Sequence, residues 1–260
     1  MLFQFIKDYL KHRLTAKSRH GTHSPFVYKL ADEVIYDFND KSEYKNIEEQ
    51  RKKLFNDDSV ITVTDLGAGS QLNKNRTKKV SQIAKNALKS PRLAKLIYRL
   101  AKNAKAKSAI ELGTCLGITT AYLAKTDAQT EVITIEGCPQ TAEVARKNFQ
   151  DLNLENIELH VGNFDLILPD IIARQPSLDF VYIDGNHRKD ATLNYFKLCL
   201  PKVTENSLLI FDDIYWSKGM KEAWTEIKNH PDVTVTIDLF WIGLVYFKKG
   251  QAKEHFKLKF

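Results

Sequence analysis

The stretch SAIELGTCLGITTAYLAK, Ser108–Lys125, decides the fold. Its opening SAIELG is an apolar run of strand length, ended by Gly113. Gly117 follows four residues later, and ITTAYLAK then begins a helix. The next apolar run, EVITIE (131–136), ends in an acid, Glu136. A strand, a glycine turn, a helix and a second strand closed by a carboxylate are the parts of an open α/β sheet with a ligand crevice at its strand ends. The spacing GTCLG is not GxGxxG, so it does not read as a dinucleotide fingerprint.

Working outward, the alternation continues. NIELHVG (156–162), LDFVYID (178–184) and SLLIFDD (207–213) read as strands, with helices near 139–152, 164–174, 189–200 and 218–229 between and after them. Strands separated by helices of this length imply a parallel sheet covered on both faces. VTVTIDLF (233–240) and WIGLVYFKK (241–249) then follow with almost nothing between them, which predicts a closing antiparallel hairpin. The expected fold is α/β, a Rossmann-like seven-stranded, mostly parallel sheet over residues 90–260. A helical and loop extension, residues 1–89, precedes it. That seven-stranded plan resembles the class I S-adenosylmethionine methyltransferase sheet, and dinucleotide-binding domains lack its hairpin.

A second glycine segment, DLGAGS (Asp65–Ser70), competes for the role of cofactor loop. It is followed by QLNKNRTKK, basic and without an apolar helix start, and no strand ending in an acid comes at the expected distance. Context therefore favours Glu111–Gly117, and DLGAGS reads as a lid or active-site loop. In the extension, Leu2, Ile6, Leu10 and Leu14 form a stripe at helical spacing. Packing on the protein's own core or on a dimer mate is expected for it over a membrane surface. Ser24 and Pro25 predict a helix start running to about Tyr36, with Arg19, His20 and His23 beside it. Residues 37–59 read as loop or surface helix, and SPRLAKLIYRLAKNAK (90–105) as an amphipathic helix.

Composition bounds the function. The charge is uneven, with 23 Lys and Arg against 11 Asp and Glu over residues 1–107, and 16 against 21 over residues 108–260. A basic first part suits an anionic partner or a solvated lysine-rich surface. No apolar run reaches the roughly 18 residues of a membrane span. Three scattered cysteines, Cys115, Cys138 and Cys199, read as buried thiols, and the expected location is the cytoplasm.

Gly113 and Gly117 allow close backbone approach to the methionine part of S-adenosylmethionine, and the following helix start offers N–H groups to its carboxylate. Glu136 can accept hydrogen bonds from the ribose hydroxyls, and Asn163 and Phe164 in VGNFD can flank the adenine. Glu111, Thr114, Thr119, Gly137 and Asp184 complete the expected cofactor set. Asp184, at the end of one strand, and Asp212 and Asp213, at the end of the next, bring three carboxylates to one edge. They repel unless a proton or cation intervenes, and all-oxygen ligation suits Mg²⁺, Mn²⁺ or Ca²⁺. Capping of the following helix is the alternative for the Asp212–Asp213 pair.

ELGT, TIEG, IDGNH and IFDD together resemble the metal-dependent O-methyltransferases of the catechol and macrocin type, over about residues 90–250. The resemblance implies that Asp184, Asp212 and Asp213 hold Mg²⁺. Catechol-type enzymes carry a lysine three residues after the first metal aspartate, where this chain has His187. A histidine there still suits a general base, with Asp184 beside it, but departs from a catechol enzyme. The implied function is methyl transfer to a hydroxyl of a small-molecule acceptor, with Tyr215, Trp216 and Trp241 as candidate walls. Two other readings stay open: an RNA-modifying methyltransferase that grips phosphates with the basic first part, and a non-catalytic cofactor-binding or membrane-peripheral protein. A homodimer is also open.

Overall fold

The structure, a computed structural model, describes residues 2–21, 23–64 and 76–260, without the side chains of Leu2 and His20. DLGAGS (65–70) therefore lies outside the described residues. The chain forms two compact units, residues 38–171 and residues 1–37 together with 172–260.

The discontinuous unit opens with α1 (Leu2–Thr15) and α2 (Pro25–Leu30). The hydroxyl of Ser24 accepts the N–H of Val27 and Pro25 takes the first helical position, the cap that the sequence predicts. A π-helical turn, Ala31–Ile35, extends α2, and Val27, Leu30, Ala31, Val34 and Ile35 are all buried. Arg19 is ion-paired with Asp32. Of the stripe on α1, Ile6, Leu10 and Leu14 are exposed and not packed on the protein's own core, while Phe5, Tyr9 and His12 pack on the ring of Phe240. The helix carries two apolar faces, and the one with the larger rings found the core.

The continuous unit contains α3 (Ser42–Phe55), β1 (Val60–Thr62), β2 (Thr77–Lys79), α4 (Val80–Ala87), α5 (Pro91–Ala104), β3 (Ser108–Leu112), α6 (Ile118–Ala124), β4 (Glu131–Glu136), α7 (Pro139–Asp151) and β5 (Ile157–Val161). The helix α8 (Phe164–Arg174) follows. Charged as it is, α3 buries Tyr44, Ile47 and Leu54, and Tyr44 meets Tyr98 and Tyr122 edge to face. Ser90 caps α5, whose inward face is buried from Leu93 to Ala101. The strands β3, β4 and β5 run parallel with β4 in the middle, and β3 is buried throughout. Unbroken apolar strands of this kind are what a sheet covered on both faces requires. Strands β1 and β2 form a separate antiparallel pair.

The rest of the discontinuous unit comprises β6 (Leu178–Ile183), α9 (Lys189–Cys199), β7 (Val203–Asp212), α10 (Lys218–Asn229), β8 (Val235–Asp238), β9 (Ile242–Tyr246) and β10 (Glu254–Lys257). Strand order is β10–β8–β9–β7–β6. β6 and β7 are parallel, β9 is antiparallel to both β7 and β8, and β10 is parallel to β8. The fold is thus α/β and mostly parallel with the expected C-terminal hairpin, but the parallel-sheet series has eight strands where the sequence suggested seven. The extra strand, EHFK, is short and half-charged. Its alternation is hidden among lysines, and its partners are the edge of β8 and Lys17, whose N–H donates to the carbonyl of Lys257 at 2.8 Å. All three cysteines are free thiols, Cys138 and Cys199 buried and Cys115 partly so. Among the described residues no helix is long and apolar enough to cross a membrane.

Candidate active site

Two constellations carry the chemistry, one in each unit. In the continuous unit, Gly113 and Thr114 donate their N–H groups to the carbonyl of Ile135 at 2.9 and 3.3 Å, turning the chain off β3 beside the end of β4. Gly117 has φ +79°, and a Cβ there would lie 2.5 Å from the ring of Phe149. Only glycine fits. Cys115 adopts φ 50°, which aims its N–H at Glu136 Oε2, 2.8 Å away. The N–H of Cys138 binds Oε1 at 2.9 Å. Two backbone donors thus fix a half-buried carboxylate at the carboxyl end of β4, and a carboxylate accepts hydrogen bonds on both oxygens. That geometry fits a ribose diol.

Beneath the loop lies a buried hydroxyl network. Thr114 Oγ1 and Thr134 Oγ1 are 2.6 Å apart, and the hydroxyls of Thr134 and Thr120 both donate to Oε2 of Glu111. Glu111 is fully buried, and Thr114 and Thr119 nearly so. Asn148 Nδ2 donates to the carbonyl of Leu116 at 2.8 Å and itself accepts from Gln50. Glu111 and Thr114 therefore stiffen the loop from inside. Gly137 is half-buried after β4. Asn163 is exposed and accepts the N–H of Asp165, capping α8, and Phe164 opens that helix half-buried.

In the discontinuous unit, the register that pairs Ile183 with Phe211 brings the next residues, Asp184 and Asp212, side by side. The hydroxyl of Tyr182 lies 3.2 Å from Asp184 Oδ2 and 3.1 Å from Asp212 Oδ1. One phenolic proton serves two carboxylates, of which Asp212 is buried. His187 Nε2 stands 3.7 Å from Asp184 Oδ1 and 3.8 Å from Asp213 Oδ2. Asp184, His187 and Asp212 each present a ligand atom within 4.8 Å of the others. This trio mixes oxygen and nitrogen donors, whereas the sequence reading took the carboxylates of Asp184, Asp212 and Asp213. Asp213 stands outside it, with φ 53° and its N–H bound to the carbonyl of Trp241 at 2.8 Å, and its carboxylate turned to the imidazole. Lys189 is ion-paired with Glu222 and Glu226, away from this cluster.

Tyr182 escaped the sequence reading, although a signal was present: it lies two residues before Asp184 and so on the same face of the strand. A second omission is His12. It is buried on α1 with Nε2 3.0 Å from Asp238 Oδ1, and Tyr215 donates to Asp238 Oδ2 at 2.7 Å. Tyr215 also stacks on Phe240 with centroids 4.8 Å apart. Trp216 and Trp241 are both exposed.

A methyltransferase domain family matches residues 110–214, which take in both constellations. Residues 110–214 are thus similar to a methyltransferase domain. The chain is 29% identical over 128 residues to a catechol O-methyltransferase of Niastella koreensis, covering 48% of this chain and 57% of that protein. It is 30% identical over 145 residues to a catechol O-methyltransferase of Mycobacterium tuberculosis, covering 53% and 64%. The chain thus spans less than two thirds of the length of either curated relative. In fold it is similar to a methyltransferase of Podospora anserina solved with S-adenosylhomocysteine. The two share 15% identity and a TM-score of 0.60 over 88% of this chain and all of that one.

Proposed function

We propose that the chain is an O-methyltransferase that moves the methyl group of S-adenosylmethionine to a hydroxyl of a small acceptor, with a divalent metal at the Asp184 cluster. The observation that carries this reading is Asp184, His187 and Asp212 within 4.8 Å of one another, the two aspartates sharing the Tyr182 hydroxyl, in a chain whose glycine loop and Glu136 suit the cofactor. Gly113 and Gly117 let the loop backbone approach the methionine part, and Glu136 accepts from the ribose hydroxyls. Gly137, Asn163, Phe164 and Asp184 complete the cofactor surface, with Glu111, Thr114 and Thr119 holding the loop in shape.

Asp184, Asp212 and Asp213 would hold the metal, an all-carboxylate set that suits Mg²⁺ or Mn²⁺, and His187 would stay off the ion to serve as the base. The sulfonium cofactor supplies an electrophilic methyl, and the cation supplies Lewis acidity that lowers the pKa of the acceptor hydroxyl. His187 Nε2 takes the acceptor proton, and Asp184 and Asp213 on either side stabilise the imidazolium that forms. Residues 1–89 serve as the acceptor lid. Contacts of Phe5 and Tyr9 with Phe240 and Trp241 support that role for α1. An RNA acceptor is not favoured: Phe5, Tyr9 and Phe26 are spent on Phe240, Trp241 and Tyr246 instead of standing free to stack on bases.

Labelled cofactor and a panel of hydroxylated small molecules test the reading, with chelator, Mg²⁺ or Mn²⁺ in parallel. Transfer to an oxygen that stops in chelator and returns with Mg²⁺ or Mn²⁺ is the expected result. Full transfer in excess chelator would reduce the cluster to a proton-sharing structural site.

A further inference from the structure

We propose that the outward face of α1 docks this protein on an anionic lipid surface. Phe3, Ile6, Leu10 and Leu14 are 81%, 47%, 56% and 86% exposed. At 3.6 residues per turn these four positions fall within about 80° of one another, forming one continuous apolar stripe. The opposite face is already used, through Phe5, Tyr9 and His12 on Phe240. The stripe is therefore a second face, standing in water.

Charge selects the occupant. By the same helical geometry, exposed Lys7 and Lys11 border the stripe on one side and exposed Arg13 on the other. The helix has a single acid, Asp8, which is turned inward to an ion pair with Lys221. An apolar stripe with basic borders matches the boundary between acyl chains and anionic headgroups, where the rings and leucines enter and the cations meet phosphate. A second copy of this helix fits poorly, because both borders are basic and would face their own kind. At 14 residues α1 is about 21 Å long, too short to cross a hydrocarbon core of about 30 Å but suited to lying in the interface. The inference stands independently of the proposed methyl transfer.

The test is cosedimentation of the full chain with phosphatidylcholine vesicles, with and without phosphatidylglycerol. Binding is expected only to the anionic vesicles, and it should weaken as salt rises. Leu10→Glu with Leu14→Glu should lower partition by about tenfold or more, with helicity, melting temperature and S-adenosylhomocysteine affinity unchanged. Lys7→Glu with Lys11→Glu should do the same, and decides the matter if the leucine variant is misfolded. Three results would overturn the proposal. One is no binding to anionic vesicles, and another is equal binding by both variants. The third is a dimer in solution that the leucine variant dissociates, which would make the stripe a self-interface.

Discussion

The glycine loop and the Asp184 cluster are built by opposite means. Around Gly113–Gly117 the functional groups are backbone, the one carboxylate is held by two N–H donors, and a threonine network closes the space beneath. Its geometry is complete within the protein. Around Asp184 the groups are side chains from separate strands, and two carboxylates share one phenolic proton beside an imidazole. Like charges so close demand a cation or a further proton. One site is shaped by backbone donors around a single carboxylate, and the other gathers carboxylates, a phenol and an imidazole from side chains alone.

The sharpest way to break this contrast is to change the charge of the Asp184 cluster while keeping its shape. Asp212→Asn is expected to lower kcat by about 10³-fold or more, since several kcal/mol of charge stabilisation go with the metal. The loss should be as large as that caused by chelator and not additive to it. Turnover of Asp212→Asn that still responds to chelator would move the metal elsewhere. His187→Ala follows, with a loss in kcat of roughly 10²–10⁴-fold if the imidazole moves the proton in the transition state. S-adenosylhomocysteine affinity should not change. An equal fall in cofactor affinity would make His187 a structural residue.

The glycine-loop site should respond in binding, not in chemistry. Glu136→Ala should weaken S-adenosylhomocysteine by about 1–3 kcal/mol, and titration calorimetry would measure it. Gly117→Ala sharpens the point, because the added carbon meets Phe149 in a left-handed turn. A destabilisation of about 1–3 kcal/mol is expected, visible as a lower denaturation midpoint.

The smallest effect concerns α1. Burial alone would push the Asp238 carboxyl up, but hydrogen bonds from His12, Tyr215 and the N–H of Phe240 outweigh it and hold the pKa below the usual carboxylate range. A depressed folded pKa means stability that is full above the unfolded value of about 3.9 and lost as pH falls through the folded value. Melting temperatures between pH 7 and pH 3 should therefore fall more steeply in the native chain than in Asp238→Asn. Parallel curves would remove Asp238 from the account.

Much of this architecture is local and so legible in one dimension. Gly117 is required by its own φ and by a ring one helix away, Ser24 and Pro25 cap their helix by contacts within three residues, and Glu136 ends its strand where the alternation of β and α places it. Asp184 and Asp212 are also readable, since strand ends in a parallel sheet share an edge. What the string of residues cannot carry is which of two apolar faces turns inward. Phe5 and Tyr9 packed on Phe240, not Leu10 and Leu14, because ring area buried against a distant hairpin outweighs helical spacing alone. Nor can it show that Tyr182 sits between two aspartates and that His187 stands beside both Asp184 and Asp213. Those facts depend on the register of β6 against β7 and on left-handed turns at Asn186 and Asp213. Sequence determined the elements, the glycine loop and the acids at the strand ends. Tertiary structure decided the place of Tyr182 between two aspartates, the extra strand on β8 and the outward face of α1, because each depends on contacts between residues far apart in the chain.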